Sequence, residues 1–259
     1  MSSSIAHWIS KYNLTPHGIL HAGAHLVQER DLYKELGLEP VLWVEAHPDI
    51  ARDAHRLLQN YPHQRIINAA LWDKAGYEIT LSEAGNEGSS SSLLELGLIT
   101  GSHPQVICTN QIKVTTQTLD EILSIEKEFA EDIDFLSVDT QGAEARVIKG
   151  LESNLHKFKY ILAEVSIRRL YKGAVLFDEL TEILSKHDFR LVASNLNRNT
   201  GWGDALYVRK EEITKLRITE TDYEHIVVNQ GVGMATKLRY FLLRLGLPNS
   251  LVAKISRKS

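Results

Sequence analysis

Short apolar runs alternate with longer amphipathic stretches along most of this chain. Residues 18–23, Gly-Ile-Leu-His-Ala-Gly, read as a buried strand, and 28–37 as a helix stopped by Gly37. Val41 to Glu45 predicts a second strand. A helix opens at His47 and runs to about Asn60, with Pro48 in the first turn, where a missing N–H costs nothing. Arg65 to Leu71 predicts a third strand. Three strands joined by two helices make consecutive βαβ units, so the sheet is expected to be parallel with right-handed crossovers.

The rhythm breaks after residue 71. Tyr77 to Ser82 alternates like an exposed strand, and the Gly/Ser-rich stretch 85–92 reads as loop. Ser92 and Glu95 have capping-box spacing ahead of a short helix, and Thr118 and Glu121 repeat it. Strands return at 133–139 and 160–165, with helices at about 143–151 and 176–187. Residues 189–193 and 204–209 close the sheet. They are joined by a polar loop, and such a hairpin puts one antiparallel strand into an otherwise parallel sheet. The expected fold is α/β, about seven main strands with helices on both faces.

Residues 1–210 read as one domain and 211–259 as an appendage. From Lys237 onward there are cations (Lys237, Arg239, Arg244, Lys254, Arg257, Lys258) and no carboxylate side chain. Leu238, Phe241, Leu242 and Leu245 fall at i, i+3, i+4 and i+7, one apolar stripe of a basic amphipathic helix. Such a helix can dock on its own domain, pair with a second copy in a homo-oligomer, or lie on an anionic membrane. Gly246 and Pro248 end it early and limit the area it could insert. Docking on protein is therefore expected ahead of membrane contact.

Composition excludes several classes. The 259 residues are 43% hydrophobic and 24% charged, the balance of a globular chain. Net charge is -4, so no basic field gathers nucleic acid, and no such partner is expected. The single cysteine, Cys108, allows no internal disulfide and no cysteine-based zinc site. No apolar run reaches the ~20 residues of a membrane span. The first residues lack the basic start and apolar run of a secretory signal, so a cytoplasmic protein is expected.

In a doubly wound sheet, ligands bind beyond the carboxyl ends of the strands, where the strand order reverses. The first strand ends in a turn at Gly23, and the second ends in Glu45, where such folds place an acceptor for ribose hydroxyls. Equally, Gly23 could merely permit a turn and Glu45 favour a helix dipole. A dinucleotide fingerprint would need its second glycine at the position of His25, with Val27 two residues later, and these side chains crowd a pyrophosphate. A nucleoside cofactor without phosphates, S-adenosylmethionine, fits better.

At these residues the chain resembles the FkbM family of S-adenosylmethionine-dependent methyltransferases. The resemblance is carried by Gly23-Ala-His25, Val44-Glu-Ala-His-Pro48, Asn68-Ala-Ala-Leu-Trp-Asp73, Thr118-Leu-Asp-Glu121, Asp134 to Glu144, and Gly203-Asp-Ala-Leu-Tyr-Val208, in that order. It implies a Rossmann-like class I methyltransferase fold over about residues 15–210. It also implies cofactor contacts from Gly23, Ala24, His25, Glu45, Ala46, Asn68, Ala69, Ala70 and Asp139. The family's cofactor turn usually begins Asp-x-Gly-Ala-Asn-x-Gly. Here His21 replaces the Asp, His25 the Asn and Val27 the second Gly, which implies a modified pocket.

Methyl transfer to an alcohol needs positioning and a group to remove the proton. Asp139, at a strand end facing the ligand edge, is the first candidate; its alternative role is to cap a helix that Gly142 and Glu144 begin. Glu164 lies inside an apolar run, where a carboxylate is costly to bury alone, and Arg168 or Arg169 could instead pair with it. Of the eleven histidines, His25 and His103 lie nearest the expected site, though a lone histidine commonly serves packing or surface. Asp139 and Glu164 could together hold a divalent cation, which nothing in the sequence decides, and no metal ligand is assigned. The loop 85–92 could close over substrate or be a solvated linker.

The leading expectation is O-methylation of a sugar or other polyhydroxylated small molecule, the acceptor class that the family resemblance implies. The alternatives are a nicotinamide-dependent oxidoreductase and a non-catalytic adaptor on the same fold.

Overall fold

A computed structural model describes residues 2–85, 88, 90–102 and 106–228. The strands, in chain order, are β1 (Gly18–Ala22), β2 (Val41–Glu45), β3 (Gln64–Asn68), β4 (Ala70–Leu71), β5 (Glu78–Ala84), β6 (Cys108–Gln117), β7 (Ile133–Val138), β8 (Tyr160–Ser166), β9 (Phe189–Asn197), β10 (Trp202–Arg209) and β11 (Glu224–Val228). The helices are α1 (Ser2–Tyr12), α2 (Arg30–Glu35), α3 (Pro48–Leu57), α4 (Ile99–Ser102), α5 (Leu119–Ile125), α6 (Glu144–Lys149), α7 (Phe177–Ser185) and α8 (Lys210–Leu216).

Eight strands form the main sheet, in the order β11-β9-β10-β8-β7-β1-β2-β3. Only β10 runs against its neighbours, pairing antiparallel with both β8 and β9. The order reverses at β1, which pairs in parallel with β2 on one side and β7 on the other. Alternation along β1 feeds two cores: Leu20 and Ala22 pack on one face with α5, α6 and α7. Ile19 packs on the other with α1, α2 and α3. Helices therefore cover both faces, as expected.

Local chemistry sets the helix starts. His47 caps α3, its Nδ1 accepting from the Asp49 N–H at 3.2 Å, with Pro48 in the first turn. The Thr118–Glu121 capping box closes in both directions ahead of α5.

Four expectations are corrected. The third strand divides: the Ala69 N–H donates to the Glu45 carbonyl, after which the chain leaves the main sheet. There β4 joins a small sheet in the order β4-β6-β5. Ser92 starts no helix. It bridges to Ser82, and Leu94, Leu96 and Leu98 pack with Ile99, Leu170 and Tyr171 in a third small core. The sheet has eight strands instead of seven, because β11 adds in parallel to β9. That strand and α8 lie past residue 210, so the first part of the expected appendage belongs to the sheet domain. The basic amphipathic segment 236–246 lies outside the described residues. Among the described residues, no helix is long and apolar enough to cross a membrane.

Candidate active site

The carboxyl ends of β1, β2 and β7 meet at a cavity with about 550 Å³ of empty space, part of it open to solvent. Gly23 and His25 line it from the first turn, Val44 to Ala46 from β2, and Asp139 to Gln141 from the end of β7. Leu71 and Leu81 close it from the small sheet, and Gly88, Ser91 and Leu93 from the loop between β5 and α4. A second pocket continues past Gly23 and Asp139 to His21, Ala24, Gln28 and Glu29. Among the described residues, neither lining contains a lysine or an arginine.

Gly23 is demanded by geometry. Its φ is +89°, and an added Cβ would fall 1.8 Å from the Asp139 carbonyl oxygen. The close approach of the two strand ends needs the missing side chain. His25 and Val27 also have positive φ, 46° and 48°. These are the positions where the family pattern has Asn and Gly, the residue types that tolerate that backbone best. Val27 is fully buried, so packing offsets its strain.

The Glu45 carboxylate is fixed at both oxygens. Oε2 accepts the His25 N–H and Oε1 the His47 N–H, each at 2.8 Å. Each oxygen keeps a further lone pair for a ligand hydroxyl. The first turn and the second helix start are therefore tied to the same carboxylate that lines the cavity.

Around Asp139 the chemistry is acidic and tightly linked. The Gln141 amide nitrogen donates to Asp139 Oδ1 at 2.6 Å and to Glu164 Oε2 at 3.1 Å. Tyr171 donates to Gln141 Oε1 at 2.6 Å, fixing which way the amide points. Ser92 donates to the Gln141 carbonyl at 2.7 Å, so the loop is fastened to the same residue. Burial pushes Asp139 up to about 6 against the pull of the Gln141 amide. Burial also raises Glu164 well above the usual carboxylate range, with the Asp139, Glu144 and Asp204 charges adding to it. Glu144 is pushed up to about 7 by burial, although it accepts the Thr140 and Gly142 N–H groups at 3.0 Å each.

Most of the expected site residues converge here. Gly23, His25, Glu45, Ala46, Ala69 and Asp139 line the main cavity, and Ala24 the adjoining pocket. Asn68 and Ala70 line neither. The Asn68 amide donates instead to the Glu45 and Ala46 carbonyls at 2.8 and 3.2 Å, and Ala70 is 2% exposed in β4. Glu164 also stands behind the lining, reached through Gln141. Among the described residues its partner is that amide and neither expected arginine: Arg169 pairs with Glu179, and Arg168 donates to the Asn199 and Arg198 carbonyls. The same amide occupies the space between the two carboxylates that a cation would need. No group of three or more metal-ligating side chains occurs among the described residues. His103 lies outside the described residues.

Sequence reasoning missed Gln141, Gln28 and Glu29. Gln141 was within reach, two residues past a candidate carboxylate, but only the fold turns its amide between β7 and β8.

A doubly wound, mostly parallel sheet with a single antiparallel strand and a cleft at the β1 switch point is the architecture of Rossmann-like class I methyltransferases. The chain belongs to the FkbM methyltransferase family: the model of the methyltransferase FkbM domain matches residues 21–191. No sequence among the curated proteins matches it. Among solved structures, magnesium protoporphyrin IX methyltransferase from Synechocystis with bound SAM is 11% identical, with a TM-score of 0.47 over 81% of this chain and 78% of that one. An uncharacterized protein from Listeria monocytogenes has the same identity and TM-score over 95% and 76%. A TehB-like SAM-dependent methyltransferase from Corynebacterium glutamicum is 13% identical, with a TM-score of 0.39 over 81% and 98%.

Proposed function

We propose that this chain is an S-adenosylmethionine-dependent methyltransferase that methylates a hydroxyl of a sugar or other polyhydroxylated small molecule. The observation that carries the reading is Glu45, a carboxylate clamped by two backbone N–H groups at the edge of the cavity. It would accept the ribose hydroxyls of the adenosyl group, with Ala46 and Ala69 beside it. The lining chemistry fits a cationic cofactor, since the described lining residues offer carboxylates and no lysine or arginine. When bound, the cofactor supplies an activated methyl group.

Asp139 is the proposed base. It would take the proton of the acceptor hydroxyl as the new oxygen–carbon bond forms. Gln141 holds its carboxylate in place, and Glu164 shares that amide, acting as a positioning residue. Burial leaves Asp139 ionised above about pH 6 but more basic than an exposed aspartate, which suits a general base. Carboxylates and amides at the reaction centre also suit a hydroxyl-rich acceptor, which donates hydrogen bonds, over an anionic one. We read the cytoplasm as the place of action.

Calorimetry with S-adenosylhomocysteine and, separately, NAD tests the cofactor. Binding of the first alone is expected, and binding of NAD alone would reverse the reading. Turnover of labelled methyl onto a panel of sugars, amines and carboxylic acids tests the acceptor. Transfer confined to amines would overturn the hydroxyl assignment.

A further inference from the structure

Tyr171 lies between β8 and α7 and is buried, 3% exposed. Backbone bonds tie its segment to the loop between β5 and α4. The Gly97 N–H donates to the Leu170 carbonyl and the Lys172 N–H to the Glu95 carbonyl, each at 2.8 Å. The ring lies on Gly142, where an added Cβ would come 3.0 Å from Tyr171 Cβ and Cδ2. From the same loop, the Ser92 hydroxyl holds the Gln141 carbonyl at 2.7 Å. The phenol and the backbone of Gln141 are therefore set in place by one segment, outside the main sheet.

The two ends of the Gln141 side chain meet opposite kinds of group. Oε1 accepts the Tyr171 O–H at 2.6 Å, while Nε2 donates to Asp139 Oδ1 at 2.6 Å and Glu164 Oε2 at 3.1 Å. The phenol's other acceptor, the Ser90 carbonyl, is distant at 3.4 Å. A turned amide would set its oxygen against carboxylates, which accept and do not donate when ionised. A donor at the carbonyl end also polarises the amide and strengthens its N–H bonds to the carboxylates. The carboxyls of Glu164 (β8), Glu144 (α6), Asp204 (β10) and Glu29 (ahead of α2) all disfavour charge on Asp139. Glu45 and the imidazoles of His21 and His25 line its pockets, and the Tyr33 phenol of α2 feels its charge. Against that acidic surrounding, the Gln141 amide is the leading group that favours the ionised form.

We infer that Tyr171 is a positioning residue that acts through the Gln141 amide. Its proton fixes the amide as a donor to Asp139, which engages Oδ1 and leaves Oδ2 to take the proton of the acceptor hydroxyl. Tyr171 is absent from the described lining of both pockets, so its effect passes through Gln141 and not through contact with a ligand. This deepens the proposed function and rests on its reading of Asp139 as the base.

The test reads the Asp139 carboxyl itself, by NMR titration of the isotopically labelled full chain, with its signal identified by loss in Asp139→Asn. Gln141→Met keeps the side-chain length and removes the donor, and should raise the Asp139 midpoint by about 1–2 pH units. Tyr171→Phe keeps the ring and should raise it by about 0.5–1 unit. On the Gln141→Met background, Tyr171→Phe should add less than about 0.3 unit, since the amide it acts through is gone. A packing role alone would give the same shift on both backgrounds. That result, or an unmoved midpoint in a folded Tyr171→Phe variant, overturns the inference and leaves the base assignment intact. Asp139→Asn that turns over at the wild-type rate overturns the base assignment and, with it, the role of Tyr171. Should Tyr171→Phe fail to fold, wild type decides. Its Tyr171 hydroxyl proton and Gln141 amide protons should shift together through the Asp139 midpoint, near pH 6. A hydroxyl proton that exchanges too fast to observe, or that ignores that midpoint, overturns the inference.

Discussion

Two carboxylates carry the clearest residue-scale consequences. Glu45→Ala removes an acceptor whose oxygens are both oriented by backbone N–H groups. It should weaken S-adenosylhomocysteine binding by about 1.5–3 kcal/mol, read by calorimetry on a variant whose melting curve is retained. Asp139→Asn should bind the cofactor nearly as well as wild type and lose about 10²–10⁴-fold in turnover. Wild-type turnover should rise as pH passes through about 6 and level off above it, as the carboxyl ionises. Stability runs the other way. A buried aspartate with a raised folded pKa is costly when ionised, so its penalty is absent at pH 4 and present at pH 8. Asp139→Asn should therefore melt higher than wild type at pH 8 and not at pH 4. A lower melting point at pH 8 would show that its bond to Gln141 outweighs the burial cost.

Among the elements, the turn after β1 does most to shape the site. It has positive φ at Gly23, His25 and Val27, and only the first is a glycine. Gly23→Ala adds a methyl group 1.8 Å from a backbone oxygen, and β1 and β7 must separate to admit it. Gly37→Ala is the control: its φ is also positive, at +69°, but no atom lies within 4 Å of the added carbon. The control should cost only the ~1–2 kcal/mol of left-handed backbone. Gly23→Ala should lower Tm by more than that and weaken S-adenosylhomocysteine binding, which Gly37→Ala should not. Equal melting points would mean that the two strand ends yield freely. The loop between β5 and α4 is fastened at Ser92 to Gln141, so a stretch that reads as linker becomes part of the cavity wall.

Across the whole molecule, the beginning of the chain is clasped to its last described strand. Glu224 of β11 accepts from Lys11 at 2.6 Å, His7 at 3.1 Å and Trp8 at 3.2 Å, all on α1. The Lys11 hydrogen bond leads in holding its carboxyl down to about 2. A depressed pKa contributes stability that is complete above the unfolded value and lost as pH falls through the folded one. Glu224→Ala should therefore lower Tm at pH 7, by about 2–4 °C for each kcal/mol lost, and have little effect near pH 2. An equal drop at both values would assign the loss to packing instead of charge.

The sequence by itself determined the alternation that makes a doubly wound sheet, the capping box at Thr118, the hairpin of β9 and β10, and the strand ends that bear Gly23, Glu45 and Asp139. These follow from period, caps and turn residues, which act over a few positions. It was silent where partners are distant. The first helix went unread although Ile5, Trp8 and Tyr12 bury one face of it, because a short helix at a chain end is held by the core it meets. The polar β6 carries little strand signal and is fixed by pairing with β5. Only the tertiary structure decided that Gln141 spans two carboxylates and that β11 completes an edge. It alone set the Tyr171 phenol against the Gln141 amide. Each of those depends on residues brought together from separate strands and helices, and on a burial that no local pattern encodes.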